Sequence, residues 1–212
     1  MDTMSAQLDF QIDRVVEALK AGGIVAFPTD TVYGLGADAT NRKAIEKIYR
    51  VKQRPFHLPL PVLLADMTQI DTVASYVSDF AQFLMKRFWP GGLTLVLPRA
   101  ESLPESITSG SDKVAVRIPD HVVPLTIIRR LDMPVVGTSA NISDEPSVLT
   151  AQEVAAQLGD GVDLIIDGGI CPGGIESTVV DVSKGVPLIL RHGIIPDSEI
   201  ENAYNEYTRE DM

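Results

Sequence analysis

Apolar residues recur every three or four positions in the first part of the chain, and this spacing predicts an amphipathic helix over residues 8–20. The apolar positions of this helix are Leu8, Ile12, Val15, Val16 and Leu19. Gly22 and Gly23 follow directly, and glycine commonly ends a helix because it tolerates a left-handed backbone. The short apolar run Ile24–Phe27 then predicts a buried strand.

A second helix is predicted directly after Asn41. Asparagine is a favoured N-cap residue, and the apolar residues Ala44, Ile45 and Ile48 lie on one side of the helix that it would begin. Pro55 keeps this helix from running further, because the residue before a proline is disfavoured in the helical conformation.

Strands and helices continue to alternate along the rest of the chain. Strands are predicted at Val62–Ala65, Leu93–Leu97, Val114–Ile118, Val135–Thr138, Leu164–Asp167, Thr178–Val182 and Leu188–Leu190. Helices are predicted at residues 77–89, Val122–Leu131, Ala151–Leu158, and from Asp197 into a charged tail, Glu206–Met212. Helices mixed with strands, without a linker, predict one α/β domain with an open sheet over residues 1–212.

Composition narrows the classes of function. The chain has 212 residues, a net charge of −11 and a pI near 4.6, which argues against a broad basic face for nucleic acid or an anionic membrane. No apolar run reaches the ~18 residues of a membrane span, and the acidic N-terminus is unlike a signal peptide, so we expect a cytoplasmic protein. The single cysteine, Cys171, excludes a disulfide within the chain.

A polar, glycine-rich segment, TDTVYGLG at residues 29–36, follows the first predicted strand. Its threonine hydroxyls can donate and accept hydrogen bonds, and its glycines allow the backbone to approach a ligand closely. The competing interpretation is a turn capped by threonine and aspartate side chains. Taken alone, the segment does not distinguish a ligand-binding turn from a structural one.

Two further segments carry groups that suit an anion. Lys52 and Arg54 lie at a helix end, where an extended backbone would project both cations toward one polyanion. The alternative is that they only offset the helix dipole. Ser139 and Asn141 follow the strand Val135–Thr138, and their hydroxyl and amide groups suit phosphate oxygens or a simple turn cap.

The last candidate segments flank the C-terminal strands. Glu176–Thr178 precedes one strand, and Arg191 follows another, where it suits a phosphate or a base, or is a surface arginine. His57, His121 and His192 lack the spacing of metal ligands, so no metal held by direct protein ligands is predicted. The Walker-type phosphate loop and the nucleophile elbow of hydrolases are both absent from the sequence.

Seven blocks, taken in order, resemble the YrdC family, whose best-known activity is threonylcarbamoyl-AMP synthase. They are GGIVAFPTDTVYGLG, KQRP, WPGGLTLVL, VAVRIPDH, GTSAN, IESTVVD and LRHG, within a core of about residues 12–193. The resemblance implies a single YrdC-like domain with a twisted sheet and a large cationic cavity, followed by a C-terminal helix and charged tail at 194–212. The chain is similar to the short, single-domain form of the family.

The resemblance also implies a nucleotidyltransferase. This enzyme forms threonylcarbamoyl-AMP and pyrophosphate from ATP, L-threonine and bicarbonate, with Mg²⁺ accompanying the ATP. Its product serves the N6-threonylcarbamoyladenosine modification of tRNA, through separate proteins that transfer the threonylcarbamoyl group. The intact serine–asparagine pair in GTSAN favours the synthase over a sister branch that lacks this pair.

The site residues implied by the resemblance fall into three groups. The catalytic signatures K-x-R and S-x-N correspond to Lys52, Arg54, Ser139 and Asn141. The ATP-binding positions correspond to Arg54, Lys113, Ser139, Ser147 and Arg191. The L-threonine-binding positions correspond to Thr31, Arg117, Gly137 and Ser177. Leu58 and Leu63 depart from the asparagine and histidine common in the family, and Lys113 departs from a threonine.

Two other functions stay open at this point. One is an RNA-binding module of the same fold, in which a local basic cleft binds double-stranded RNA; whether this chain binds tRNA directly is not decided. The other is an enzyme that forms a carbamoyl-adenylate from carbamoyl phosphate. Related domains of that kind lie in long chains with zinc-finger cysteines, whereas this chain has one cysteine.

Overall fold

The computed structural model describes residues 3–210, which form one mixed α/β sheet with helices on both faces. The helices are α1 (Thr3–Lys20), α2 (Arg42–Val51), α3 (Asp79–Phe88), α4 (Glu105–Thr108), α5 (Val122–Leu131), α6 (Ala151–Leu158) and α7 (Asp197–Glu210). The strands are β1 (Val25–Phe27), β2 (Gly34–Asp38), β3 (Val62–Leu63), β4 (Leu93–Pro98), β5 (Lys113–Arg117), β6 (Val135–Ser139), β7 (Leu164–Ile165), β8 (Thr178–Asp181) and β9 (Leu188–Arg191). Two short 3₁₀ helices lie at Met67–Thr72 and Gly159–Gly161.

Local caps explain why the predicted helices begin where they do. The Asn41 side chain accepts a hydrogen bond from the Ala44 N–H at 3.2 Å, as predicted for the start of α2. Thr150 and Glu153 form a reciprocal capping box at the start of α6. In both cases a side-chain oxygen satisfies an N–H group that has no partner inside the helix.

Two sequence-based assignments were wrong. The glycine-rich segment 29–36 is not all loop, because β2 begins at Gly34 and pairs with both β1 and β6. The predicted charged tail is helical as far as Glu210, since α7 packs tyrosines against aromatic residues of α3. The predicted tail positions 211 and 212 lie outside the described residues.

The nine strands lie in the order β7-β1-β2-β6-β3-β5-β4-β8-β9. The pairs β1/β7, β3/β5 and β4/β8 are parallel, and the other neighbours are antiparallel. Register places Gly36 opposite Gly137 and Gly34 opposite Ser139, so two glycine-bearing motifs that are far apart in sequence become neighbours. The predicted open α/β sheet is therefore confirmed.

The two faces of the sheet are covered unequally. Helices α2, α3, α4, α6 and α7 contribute to the large apolar core on one face. On the other face α1 and α5 pack over β1, β3 and β6, and within residues 3–210 this second core has no member from β4, β5, β8 or β9. Side chains alternate along a strand, so Thr94 and Arg117, whose strand neighbours are in the first core, point to this uncovered half. The candidate site lies there.

The helices on the second face are held together by apolar packing and by charge. Arg130 on α5 forms ion pairs with Asp9 and Asp13 on α1, each at 2.7 Å. Among the described helices, none is both long and apolar enough to cross a bilayer.

Candidate active site

A cavity with about 450 Å³ of empty space, part of it open to solvent, lies beside the uncovered half of the sheet. It is bordered by the segment before β2 and by residues of β4, β5, β6, β8 and β9 or next to them. Its polar wall includes Thr31, Thr94, Arg117, Ser139, Ser177 and Arg191. With Gly137, the tertiary structure thus brings six of the predicted site residues to one surface, and it adds Thr94.

Arg117 is buried and rigidly held. Its Nε donates to the Gly91 carbonyl oxygen at 2.8 Å, its Nη1 to Thr31 Oγ1 at 3.0 Å, and its Nη2 to Asp30 Oδ1 at 2.7 Å. Burial lowers the pKa of Arg117, and the charge of Asp30 opposes this shift. These contacts use three of the five guanidinium N–H groups, which leaves one on each Nη for a ligand.

The Thr31 hydroxyl has a defined direction. Thr29 Oγ1 lies 2.7 Å from the Val32 carbonyl oxygen and donates its single proton to it. The 3.0 Å contact between the Thr29 and Thr31 hydroxyls must therefore be donated by Thr31. With its proton used here and Arg117 donating to it, Thr31 offers a ligand only an acceptor lone pair.

Lys52 is buried and holds the turn that follows β6. Its Nζ donates to the carbonyl oxygens of Ser139 and Asn141, the latter at 2.7 Å, and to Asn141 Oδ1 at 3.3 Å. These three acceptors match the three N–H donors of an ammonium group. Burial lowers the pKa of Lys52 to about 8, and the nearby charge of Arg54 adds to this shift. The lysine of the K-x-R signature and the S-x-N signature therefore form one connected unit.

The backbone between Lys52 and Arg54 is not extended, which was the condition for both side chains to project to one side. Lys52 has helical dihedral angles as the C-cap of α2, and Gln53 lies in the left-handed region with φ +52°. This turn separates the two side chains: Lys52 is buried behind the Ser139 turn, while Arg54 donates to the carbonyl oxygens of Leu58 and Pro59 at 3.3 and 2.9 Å. The two cations thus act on different neighbours.

Arg191 and Glu176 complete the far wall of the cavity. Arg191 donates to the Glu176 carboxylate, to the Ser177 carbonyl oxygen at 2.8 Å and to Ser177 Oγ at 2.9 Å. Ser177 Oγ also lies 2.8 Å from Thr94 Oγ1. Ser147 donates to Glu176 Oε1 at 2.6 Å, so it reaches the site through the glutamate.

Several predicted site residues do not line the cavity. Asn141 is occupied by main-chain contacts, since its Nδ2 donates to the carbonyl oxygens of Ile142 and Glu145. Lys113 lies at the opposite end of β5 from Arg117 and pairs with Asp181 at 2.7 Å. The structure therefore places Asn141 behind the cavity and Lys113 away from it.

The glycines near the cavity make room for side chains of the sheet, and Gly34 and Gly137 also line the cavity. A Cβ on Gly36 would lie 2.7 Å from the Phe27 ring, and one on Gly137 would lie 2.3 Å from Leu63 Cδ1. Gly137, whose backbone was predicted to contact threonine, lines the cavity, and its N–H donates to the Pro61 carbonyl oxygen at 2.9 Å. This N–H is therefore used within the sheet, which the motif alone does not show.

Sequence reasoning missed the roles of Asp30, Thr94 and Glu176. Asp30 and Glu176 lie inside segments that were singled out, but their partners Arg117 and Arg191 are distant in sequence. Thr94 alternates with Leu93 and Leu95 in an apolar strand, and this lone hydroxyl was a signal for a polar opposite face. The Thr94 hydroxyl can be assigned to a site only when it is known that no helix of the second core covers this half of the sheet.

Comparison with known proteins places this fold in a family. The Sua5/YciO/YrdC family model, described as "Telomere recombination", matches residues 17–193. The chain belongs to the Sua5/YciO/YrdC family. Family membership confirms the resemblance that the seven sequence blocks indicated.

Similar members of the Sua5/YciO/YrdC family are named as synthases. Threonylcarbamoyl-AMP synthase of Pyrococcus abyssi is 44% identical over 188 residues, which cover 89% of this chain and 55% of that protein. The Bacillus subtilis protein of the same name is 43% identical over 194 residues, covering 91% and 56%. The chain therefore spans about half the length of these relatives.

A solved structure of the family agrees with the fold. P. abyssi Sua5 complexed with L-threonine superposes with a TM-score of 0.88 at 43% identity, over 91% of this chain and 56% of that one. The YrdC-like fold is thus confirmed. In the present chain, positive charge around the cavity comes from Lys52, Arg54, Arg117 and Arg191. The carboxylates Asp30 and Glu176 oppose it.

Proposed function

We propose that this chain forms L-threonylcarbamoyladenylate and pyrophosphate from ATP, L-threonine and bicarbonate. The observation that carries the proposal is that Arg117, with two N–H groups left for a carboxylate, shares one cavity with Ser139 and Arg191, which suit phosphate. The names of the similar synthases, and the P. abyssi structure with L-threonine, support the same substrates.

The amino-acid subsite is centred on Arg117. Its two remaining N–H groups bind the threonine carboxylate, and Asp30 keeps the guanidinium in place. Thr31, which offers an acceptor, receives an N–H from the threonine amine. The paired hydroxyls of Thr94 and Ser177 bind the threonine hydroxyl, and Leu63 supplies an apolar wall for its methyl group.

The nucleotide subsite uses the opposite wall. Arg191 and the hydroxyls of Ser139 and Ser147 bind phosphate oxygens, and the charge of Arg54, which interacts with that of Arg191, adds to the field there. Lys113 lies on the same sheet face as Arg117, about 13 Å along β5 at ~3.3 Å per residue. We assign it to the more distant part of the nucleotide.

The reaction then needs no protein nucleophile. The neutral amine nitrogen of threonine bonds to the carbon of bicarbonate, and water leaves, which gives a carbamate anion. A carbamate oxygen bonds to the α-phosphorus of ATP while the bond from that phosphorus to the bridging oxygen breaks, and pyrophosphate leaves. Position and charge stabilisation provide most of the acceleration in phosphoryl-type transfer.

Charge compensation is the task of the chain's own residues. The carbamate and the triphosphate repel each other, and Arg54, Arg117 and Arg191 reduce that repulsion. Lys52 keeps the Ser139 turn in place, so the signature lysine positions the hydroxyl. Residue Asn141 has the same supporting role, because it accepts from Lys52 and ties down the following turn.

Mg²⁺ accompanies ATP in this proposal. A magnesium ion is usually held by one or two carboxylates, substrate phosphates and water. The cavity offers one lining carboxylate, Glu176, and it is already bonded by Ser147 and Arg191. The described residues that line the cavity therefore do not form a protein cage for the ion.

The product is an activated acyl-adenylate, and it supplies the tRNA modification through separate transfer proteins in the cytoplasm. The decisive experiment measures pyrophosphate release with ATP while L-threonine and bicarbonate are varied independently. The proposal requires release that depends on both. A salt-sensitive tRNA complex without turnover would instead favour the RNA-binding module, and turnover with carbamoyl phosphate in place of bicarbonate would favour the carbamoyl-adenylate enzyme.

A further inference from the structure

Glu176 is a carboxylate at the centre of a site proposed for phosphates. Its two oxygens accept hydrogen bonds from Ser147 and Arg191, and the nearby Ser139 side chain helps to lower its pKa. All three residues belong to the proposed nucleotide subsite. A negative side chain that occupies the donors of an anion site demands a physical explanation.

The position of this carboxylate is set by the backbone around it. The Glu176 carbonyl oxygen accepts from the Ile194 N–H at 2.9 Å, beside Gly193. A Cβ at Gly193 would lie 2.4 Å from the Ser177 carbonyl carbon and 2.5 Å from the Glu176 carbonyl oxygen. The close approach permitted by Gly193 therefore fixes the segment from which the Glu176 side chain reaches into the cavity.

Glu176 is ionised in this environment. Burial by itself raises the pKa of a carboxyl group, but the hydrogen bond from Ser147, the charges of Arg191 and Lys52 and the nearby Ser139 side chain outweigh burial. The pKa of Glu176 therefore lies below its ordinary value. A carboxylate of lowered pKa is a poor base for an ammonium group, whose pKa is far higher. Its contacts are those of a bound anion.

We propose that Glu176 is an internal anion that occupies the place of a phosphate group in the nucleotide-free enzyme and must be displaced before a nucleotide engages Ser139, Ser147 and Arg191. A carboxylate and a phosphate are both acceptors that demand the same charged and hydroxyl donors. Displacement therefore sets a threshold: a weakly charged anion does not replace Glu176, while a polyphosphate does.

This inference rests on the proposed function, and it adds a determinant of selectivity to it. It explains how several cations remain grouped without a ligand, since the carboxylate offsets their mutual repulsion. It also explains why Ser147, which the structure places behind Glu176, belongs to the nucleotide site: its hydroxyl becomes available once the glutamate leaves.

The test is the binding of inorganic pyrophosphate and of ATP to the full chain, measured by calorimetry without bicarbonate. Glu176→Gln keeps the shape of the side chain and removes its charge, so it competes less well for Arg191. We expect pyrophosphate to bind about tenfold more tightly, with L-threonine affinity unchanged. The matched control is Glu101→Gln, an exposed glutamate beyond the opposite end of β4 from Thr94, which should change neither affinity.

The second variant is Glu176→Asp, which keeps the charge but is one methylene too short to hold both Ser147 and Arg191. It should tighten pyrophosphate binding in the same direction but less, and it serves if the glutamine variant does not fold. Unchanged or weaker pyrophosphate binding in a folded variant overturns the inference and leaves the proposed function intact. A wild-type chain that binds neither ATP nor pyrophosphate instead contradicts the proposed function itself.

Discussion

The Lys52 ammonium nitrogen lies 2.7 Å from the main-chain oxygen of Asn141, so a residue at the end of α2 holds the turn that follows β6. With Asn141 Oδ1 and the Ser139 carbonyl oxygen, this contact uses all three donors of the ammonium group. The lysine therefore contributes to the site through the turn that carries Ser139.

Activity should fall as pH rises through about 8, the lowered pKa of Lys52. Deprotonation removes one donor and the charge that holds the Ser139 turn. The effect on stability has the opposite sign, because the pKa of Lys52 is lower in the folded chain than its ordinary 10.5. The free energy of unfolding therefore gains a contribution from Lys52 as the pH rises from about 8 to 10.5. Measuring pyrophosphate release from pH 6.5 to 9.5, with circular dichroism at each pH, separates the effect on activity from the effect on stability. A loss of activity that follows loss of the circular dichroism signal would refute the assignment.

Asp30→Asn should destabilise the fold by about 3 kcal/mol, because it leaves the buried Arg117 charge without its partner. It should also raise the KM for L-threonine more than the KM for ATP. The control is Asp13→Asn, whose ion pair with Arg130 is largely exposed and should be worth less than about 1 kcal/mol. Urea denaturation measures both variants, and equal losses would contradict the buried role of Asp30.

Thr31→Val should raise the KM for L-threonine by about tenfold, since one hydrogen-bond acceptor in the site is lost. The KM for ATP should change little, because the Thr31 contacts face Arg117 and Thr29. Steady-state kinetics with each substrate varied in turn makes the comparison. Equal increases in both constants would remove Thr31 from the amino-acid subsite.

Arg54→Ala should abolish pyrophosphate release while circular dichroism shows an intact fold. The side chain adds positive charge near Arg191 and Glu176, and its contacts with Leu58 and Pro59 are local. Arg42→Ala is the matched control, since Arg42 is an exposed helix residue paired with Glu46. Near-normal turnover of the Arg54 variant would exclude it from the mechanism.

Gly137→Ala should destabilise the fold by about 1–3 kcal/mol, because the new methyl group would overlap Leu63. Adding Leu63→Ala should recover part of this loss, although Leu63→Ala alone is destabilising through its cavity. A double-mutant cycle by thermal or urea unfolding measures the coupling. Additive effects would show that Leu63 does not pack on Gly137.

The sequence alone determined the local elements and the family. The bounds of α5 and α6 follow from apolar periodicity and helix caps, which act within a few residues of each other. The seven motif blocks identified the family for a related reason, since each block is a continuous stretch of chain. Both kinds of signal can be recognised without knowing which distant segments come together in the fold.

Only the tertiary structure decided which side chains share the cavity. The pairing of β2 with β1 and β6 packs Phe27 and Val135 against Gly36, so a glycine expected to make room for a ligand makes room for side chains of the sheet. Burial turns Lys52 toward Asn141, and the length of β5 separates Lys113 from Arg117. The physical reason is that a side chain's role depends on partners brought in by long-range pairing and burial, and these are properties of the folded sheet.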